Sequence, residues 1–245
     1  MNVAVITGTE VKGCTYRIKE IFLDTLRENS DLSLQITEFY LPKDSPHFCT
    51  GCKVCFMQRE SLCPHASSIE PIWAAIMGAD LVVFAYPVYA LRAPGQLKAL
   101  LDHFCCHWMA HRPESAMFTK RAAILTQSIG APNRGAQKDV KTSLSWMGVS
   151  SIRTLGFGLR EGVIWDELSE KRRGAIEKKV RVFADGFLGQ GPAAMGLSVK
   201  MKFVLCKSIQ RSQLKKGGPV SPDLQHYLDR GWVQRKTGRK RISKR

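Results

Sequence analysis

Residues 78–89 read Gly-Ala-Asp-Leu-Val-Val-Phe-Ala-Tyr-Pro-Val-Tyr, and the run from Leu81 to Tyr86 carries no charged residue and no break. A short apolar run without alternation is what a strand buried on both faces requires, and such strands lie at the centre of parallel sheets. Pro87-Val88-Tyr89 ends the run. Pro94, suited to a first helical turn, opens a helix expected to reach Met109. Upstream, Asn2–Thr7 (NVAVIT) reads as a first buried strand, and Ile18, Ile21, Phe22 and Leu26 recur at helical spacing as far as Asn29. Leu32–Tyr40 alternates like a second strand, and Ile69–Met77 reads as a helix. Downstream, Arg121–Gln127 and Ser151–Gly158 read as the fourth and fifth strands. Gly135–Met147 is the helix between them, and Asp166–Phe187 is a long final helix with an Asp start. Strands alternating with helices imply a parallel sheet covered on both faces, and right-handed crossovers leave few topologies. Five strands fit the doubly wound order 2-1-3-4-5, whose ligand crevice opens where the first and third strands diverge.

The 245 residues suffice for one such α/β domain with an appendage, and they bury enough surface to fold without disulfide staples. We expect the domain over 1–188, with a cysteine-rich insert at 41–68, and a basic C-terminal extension over 189–245. Gly189, Gly191, Pro192 and Gly196 break the pattern, Lys200–Ser212 suits one short basic helix, and Trp232 is the one large anchor expected beyond it. The formal charge of +16 is concentrated here: from residue 198 onward 14 Lys and Arg face only Asp223 and Asp229. Such an extension packs over the body or a neighbouring subunit, or docks on anionic lipid, nucleic acid or an acidic protein. No finger, helix-turn-helix or RNP motif accompanies the charge, which argues against nucleic acid. The longest apolar run is far too short to span a bilayer, and the first residues lack the order of a signal peptide, so a cytoplasmic location is expected.

Eight cysteines in such a compartment point away from a disulfide framework. Four crowd together as Cys49-x2-Cys52-x2-Cys55-x7-Cys63-Pro64. Two short spacings in series let three thiolates of one loop reach three corners of a cubane while the fourth returns from nearby, so one [4Fe–4S] cluster would use all four. Structural zinc and bare redox thiols remain open, since zinc favours two separated pairs and each x2 spacing is also a redox spacing. His65, beside Cys63, offers a ligand atom but reads first as a loop residue. His103, Cys105, Cys106 and His107 sit together on one helix, where neighbours point about 100° apart, so they read as packing or interface residues. Cys206 reads as inert.

The first strand runs into Thr7-Gly8-Thr9-Glu10-Val11-Lys12-Gly13-Cys14-Thr15 and then a helix. Gly8 and Gly13 permit close approach, Thr9 and Thr15 offer hydroxyls and Lys12 a charge, which suits a phosphate at a helix N-terminus. An ordinary strand-to-helix turn capped by Thr15 is the alternative. Neither G-x-G-x-x-G nor the P-loop pattern is present.

Taken together, the Ala79-Asp80, Pro87-Val88-Tyr89, Gln96-Leu97-Lys98-Ala99-Leu100 and Asp102 signature and the cysteine insert resemble the NADPH-dependent FMN reductase family, and within it the iron–sulfur flavoproteins. The resemblance covers roughly residues 2–160. It implies a flavodoxin-like fold in which Thr9, Lys12, Gly13, Cys14 and Thr15 surround the FMN phosphate. Pro87, Val88, Tyr89 and Ala90 would line the ribityl chain and ring edge, and Ser128, Ile129, Gly130 and Ala131 would close the other side. It also implies a [4Fe–4S] cluster on Cys49, Cys52, Cys55 and Cys63, NAD(P)H as co-substrate and a homodimer. The electron acceptor would be small: a quinone, a nitro compound or dioxygen. The phosphate loop departs from the family pattern in carrying Glu10 and Val11 where Pro and Arg are usual, leaving the phosphate to N–H groups, hydroxyls and Lys12. The flavin does the chemistry in such an enzyme, so no side chain is named as an acid or base. Two other readings are an electron carrier or redox sensor docking an acidic protein such as ferredoxin, and a zinc-stabilised interaction protein.

Overall fold

The computed structural model describes residues 1–30, 33–160, 162 and 164–234. Five strands, β1 (Asn2–Thr7), β2 (Gln35–Tyr40), β3 (Leu81–Pro87), β4 (Arg121–Ser128) and β5 (Ser151–Gly158), form one parallel sheet in the order β2-β1-β3-β4-β5. Its central register pairs Val3 with Leu81 and Leu81 with Arg121. This is the flavodoxin-like doubly wound fold, and the alternation of strands and helices read from the sequence is what produces it.

The apolar runs of β1 and β3 are explained by what lies on either side. Ala4, Ile6, Val82, Phe84 and Tyr86 face one layer, and Val3, Val5, Leu81, Val83 and Ala85 face the other. The first layer contains α3 (Ala66–Gly78), α4 (Gly95–His103) and α5 (Arg134–Met147), and the second contains α1 (Cys14–Asn29) and α6 (Glu170–Asp185). A single-turn helix, α2 (Val54–Met57), lies in the cysteine-rich insert.

The differences from the sequence reading have local causes. Strand β2 begins at Gln35, and Leu32 lies outside the described residues. Helix α4 ends at His103, and Phe104–His107 tightens into a 3-10 turn. Helix α6 starts later than Asp166, which sits in a 3-10 turn; the cap is Ser169, whose hydroxyl accepts the Arg172 N–H at 3.3 Å. The extension folds further than expected, as α7 (Leu197–Lys216) and α8 (Pro222–Asp229). Ser221-Pro222 opens α8, with the Ser221 hydroxyl accepting the Leu224 N–H at 3.2 Å and Pro at the start of the helix. Trp232 is therefore not the sole anchor: Tyr227, fully buried, donates its hydroxyl to the Met109 carbonyl, Val233 is buried in one cluster with Val199 and Cys206, and Leu224 is buried as well. No helix among the described residues is long and apolar enough to cross a membrane.

The turn after β1 is seated tightly on β3 and α4. The Gly8 N–H donates to the Ala85 carbonyl at 2.8 Å, and Gln96 Nε2 donates to the Gly8 carbonyl at 2.8 Å. A Cβ at Gly8 would stand 2.6 Å from the Tyr86 Cβ. Gly8→Ala is accordingly expected to destabilise the protein by about 1–3 kcal/mol through overpacking. Its midpoint in urea unfolding should fall well below that of the parent protein, and an unchanged midpoint would show that the turn is free to move.

Candidate functional site

Three loops meet at the carboxyl edge of the sheet, and they carry all the residues the sequence assigns to the cofactor. The turn after β1 and the start of α1 contribute Thr9, Lys12, Gly13, Cys14 and Thr15. The end of β3 and its loop contribute Pro87, Val88, Tyr89 and Ala90, and the end of β4 and its loop contribute Ser128 and Gly130. They are cross-tied through Gln127 at the end of β4, a residue the sequence reading did not single out. Its carbonyl accepts the Val88 N–H at 2.8 Å, and its side-chain oxygen accepts the Thr15 hydroxyl at 3.5 Å. Gln127 Nε2 is buried and has no protein partner, so a buried donor waits beside this crevice.

The assigned residues differ in what they can offer. Helix α1 begins at Gly13 with no side-chain cap and no acid in its first turn, which leaves its first N–H groups open to an anion. Thr9 is buried and folds its hydroxyl back to accept the Val11 N–H at 3.2 Å. Lys12 is exposed and lies over the Tyr16 ring at 5.5 Å. Cys14 points into the core, where burial, with Asp166 nearby, pushes its thiol up to about 11, so it can present only its backbone to a ligand. Ser128 likewise turns inward, donating its hydroxyl to the Ala131 carbonyl to hold its own loop. Gly130 has φ 81, and Arg160 closes over it.

The loop after β3 is a tight reversal. Tyr89 and Arg92 exchange N–H···O bonds at 3.0 and 2.9 Å, and Ala90 and Leu91 take φ of 48 and 65, a conformation rare for residues with a side chain. Asp139 of α5 holds it there by pairing with Arg92 and accepting the Ala93 N–H at 3.0 Å. Burial opposes the Asp139 charge, but these two partners outweigh it and lower its pKa. The reversal holds Tyr89 and Leu91 out at the edge; with Val11 and Ile129 they give the three loops an exposed apolar rim. An uncapped helix start, an orphaned amide donor and an apolar rim suit the phosphate, polar chain and ring of FMN.

A second site lies at the far end of α4. Cys49, Cys52, Cys55 and Cys63 all line one cavity of about 380 Å³. Gly51 and Lys53, with φ of 70 and 63, curl the backbone on either side of Cys52. Cys49 and Cys52 are exposed, Cys55 and Cys63 partly so. Burial raises the Cys55 pKa, and the neighbouring Cys63 and Cys49 raise it further, a mutual repulsion that a cation would relieve. The loop is anchored by Arg112, a buried cation missed in the sequence. It donates to the Cys55 carbonyl, to Glu60 at 2.7 Å and to Asp223 of α8, so the C-terminal extension helps hold the cysteine loop. The 3-10 turn after α4 puts Cys106 and His107 into this cavity wall rather than into plain packing. His107 stacks on Trp73 at 3.8 Å, and its burial lowers its pKa to about 4. Cys105 does not line this cavity.

The two sites are the two ends of one helix. Gln96 in the first turn of α4 holds the turn after β1, and His103, its last residue, faces Cys63 at 4.0 Å, about 10 Å further along the axis.

A doubly wound parallel sheet in this strand order, with a thiol-lined cavity at the far end of α4, defines a flavodoxin-like α/β protein. The profile of the NADPH-dependent FMN reductase family matches residues 1–162, and the chain belongs to that family. It is thus an FMN-dependent oxidoreductase. It is similar to the iron–sulfur flavoproteins of Archaeoglobus fulgidus, 24% identical over 64% of this chain and 73% of that one, and of Methanosarcina thermophila, 24% identical over 69% and 85%. The solved structure of an FMN-dependent NADH-azoreductase from Bacillus anthracis, in complex with FMN, shares the fold with a TM-score of 0.58 at 11% identity, over 76% of this chain and 99% of that one.

Thiol chemistry separates the cysteines. A thiol pushed up to about 11 from 9.0 carries about 100-fold less thiolate at pH 8 than an ordinary cysteine. Mapped alkylation of the metal-free, reduced protein at pH 8 is expected to label Cys49 and Cys52 first and to leave Cys14, Cys106 and Cys206 largely unmodified. Fast labelling of Cys14 would contradict its placement in the core.

Proposed function

We propose that this protein is an NAD(P)H oxidoreductase that holds FMN in the crevice between the β1, β3 and β4 loops and passes electrons, through a [4Fe–4S] cluster on Cys49, Cys52, Cys55 and Cys63, to a small acceptor such as a quinone, a nitro compound or dioxygen. The observation that carries this reading is the shared helix: α4 braces the flavin-side turn through Gln96 and closes the cysteine cavity with His103. FMN, when bound, supplies two-electron acceptance from NAD(P)H and stepwise release of electrons. The protein's part is to bind and orient. The α1 N-terminus, the Thr9 segment and Lys12 would hold the phosphate, the Gln127 amide would face the polar chain, and the Pro87–Ala90 reversal would set the ring edge. The exposed apolar rim of Val11, Tyr89, Leu91 and Ile129 suits cover by a second subunit, the basis for proposing a homodimer.

A second reading, an electron carrier that docks an acidic protein such as ferredoxin, is favoured by one feature of the 189–245 extension. Helix α7 bears Lys200, Lys207, Arg211, Lys215 and Lys216 with no acid, and exposes Leu197, Met201, Val204, Leu205 and Ile209. Salt-sensitive association and reduction that stops at one equivalent would favour it over sustained turnover.

Cys52→Ser, compared with the parent after anaerobic reconstitution, tests the enzyme reading. The variant is expected to keep one FMN per chain and its reduction by NADPH, to lose most of its iron and acid-labile sulfide, and to turn over the acceptor at least roughly tenfold more slowly. Full iron and sulfide in the variant would remove the cluster from these four cysteines, and unchanged turnover would remove it from the electron path.

A further inference from the structure

Beyond that reading, the geometry points to a second metal-binding mode in the cysteine cavity: a single divalent ion of the zinc type, held by Cys63, His65 and His103. The Cys63 sulfur, one ring nitrogen of His65 and one of His103 lie within 4.8 Å of one another. These residues come from two separate elements, the loop that leads into α3 and the last residue of α4, and they converge on one wall of the cavity.

The orientation of His103 is that of a ligand. Its Nε2 lies 3.2 Å from the His47 carbonyl oxygen. A carbonyl only accepts, so Nε2 carries the proton. That leaves the Nδ1 lone pair free, and Nδ1 is the atom that faces the Cys63 sulfur at 4.0 Å. A backbone carbonyl on the far nitrogen is the outer-shell arrangement that fixes tautomer and ring plane in histidine metal ligands. His65 is fixed from both sides: His47 stacks on it at 4.6 Å, and His103 meets it edge-on at 5.3 Å. A thiolate and an imidazole sharing a tetrahedral zinc ion stand about 3.6 Å apart, so the observed pair has to close by less than half an ångström. One thiolate and two imidazoles form a borderline-soft donor set, and three protein ligands leave a fourth position open towards the cavity.

This ion and the four-cysteine cluster both require Cys63, so they exclude one another. The cavity then has two alternative occupants: an iron–sulfur cluster on four thiolates, or a lone ion on one thiolate and two histidines. Zinc bound in the second mode would block cluster assembly.

The test uses the full chain, reduced and metal-free under anaerobic conditions, titrated with Zn²⁺ against a chromophoric chelator. Wild type is expected to bind one Zn²⁺. His65→Ala and His103→Ala should each weaken that binding by more than about 100-fold, beyond the cost of an outer-shell change. The Cys49→Ser, Cys52→Ser double variant should bind zinc as the wild type does. Because His103 is buried and its variant could fold poorly, Co²⁺ on the wild-type protein supplies an independent readout. The near-ultraviolet charge-transfer intensity should correspond to one Co–S bond rather than several. Preloaded zinc should also prevent iron and sulfide uptake in wild type but not in His65→Ala. The proposal is overturned if wild type binds no zinc, if the histidine variants bind it normally, if the double cysteine variant loses it, or if cobalt reports several thiolates. None of these four overturning results depends on whether wild type assembles an iron–sulfur cluster; only the preloading competition does, and iron and sulfide uptake without zinc reads that separately.

Discussion

The geometry of both sites depends on how the turn after β1 sits on β3 and α4. Gly8 is pressed against Tyr86 with no space for a side chain, its N–H is held by the Ala85 carbonyl and its own carbonyl by Gln96. This holds the turn that leads into α1, whose first N–H groups have no side-chain cap, and in the same contact it fixes the start of α4. Everything further along α4, including the histidine that closes the cysteine cavity, inherits that position. Side chains such as Thr15 and Gln127 then join the loops across the sheet, where a buried hydrogen bond specifies geometry more than it adds net stability.

The C-terminal extension is coupled to the second site in the same way. Tyr227 and its neighbours seat α8 against the Met109 segment, and that placement carries Asp223 to Arg112. Arg112 is buried, so its charge is tolerable only with Glu60, Asp223 and the Cys55 carbonyl around it. The basic C-terminal region therefore contributes one of its few acids to the loop that carries the cysteines. The cysteine loop and the packing of α7 and α8 are parts of one structure.

Much of the fold was legible because its signals are local. The unbroken run at Leu81–Tyr86 could belong only to an element covered on both sides, and the five-strand order followed from alternation and handedness. The positions of the three loops after β1, β3 and β4 were legible for the same reason, since each follows a readable strand. What escaped the reading depends on distant contacts. Gln127 looks like any strand end until Thr15 and Val88 are folded against it. His103 and His107 were read as packing residues of one helix; α4 stops at His103 and a tighter turn follows, so both also line the cysteine cavity, a contact no local signal reveals. The Ser221-Pro222 start of α8 and the Ser169 cap of α6 were missed signals present in the local sequence. Cys14 shows the converse: it stands at the start of α1, in the turn the sequence marked, but its side chain faces the core.

The central claim is that the β1 and β3 turns form one crevice for a flavin mononucleotide, and FMN titration of the cofactor-stripped chain tests it most directly. Quenching of flavin fluorescence should saturate at one FMN per chain, and the bound flavin should bleach on addition of NADPH. A flavin that stays fluorescent at stoichiometric protein, with no saturable phase, would contradict the account.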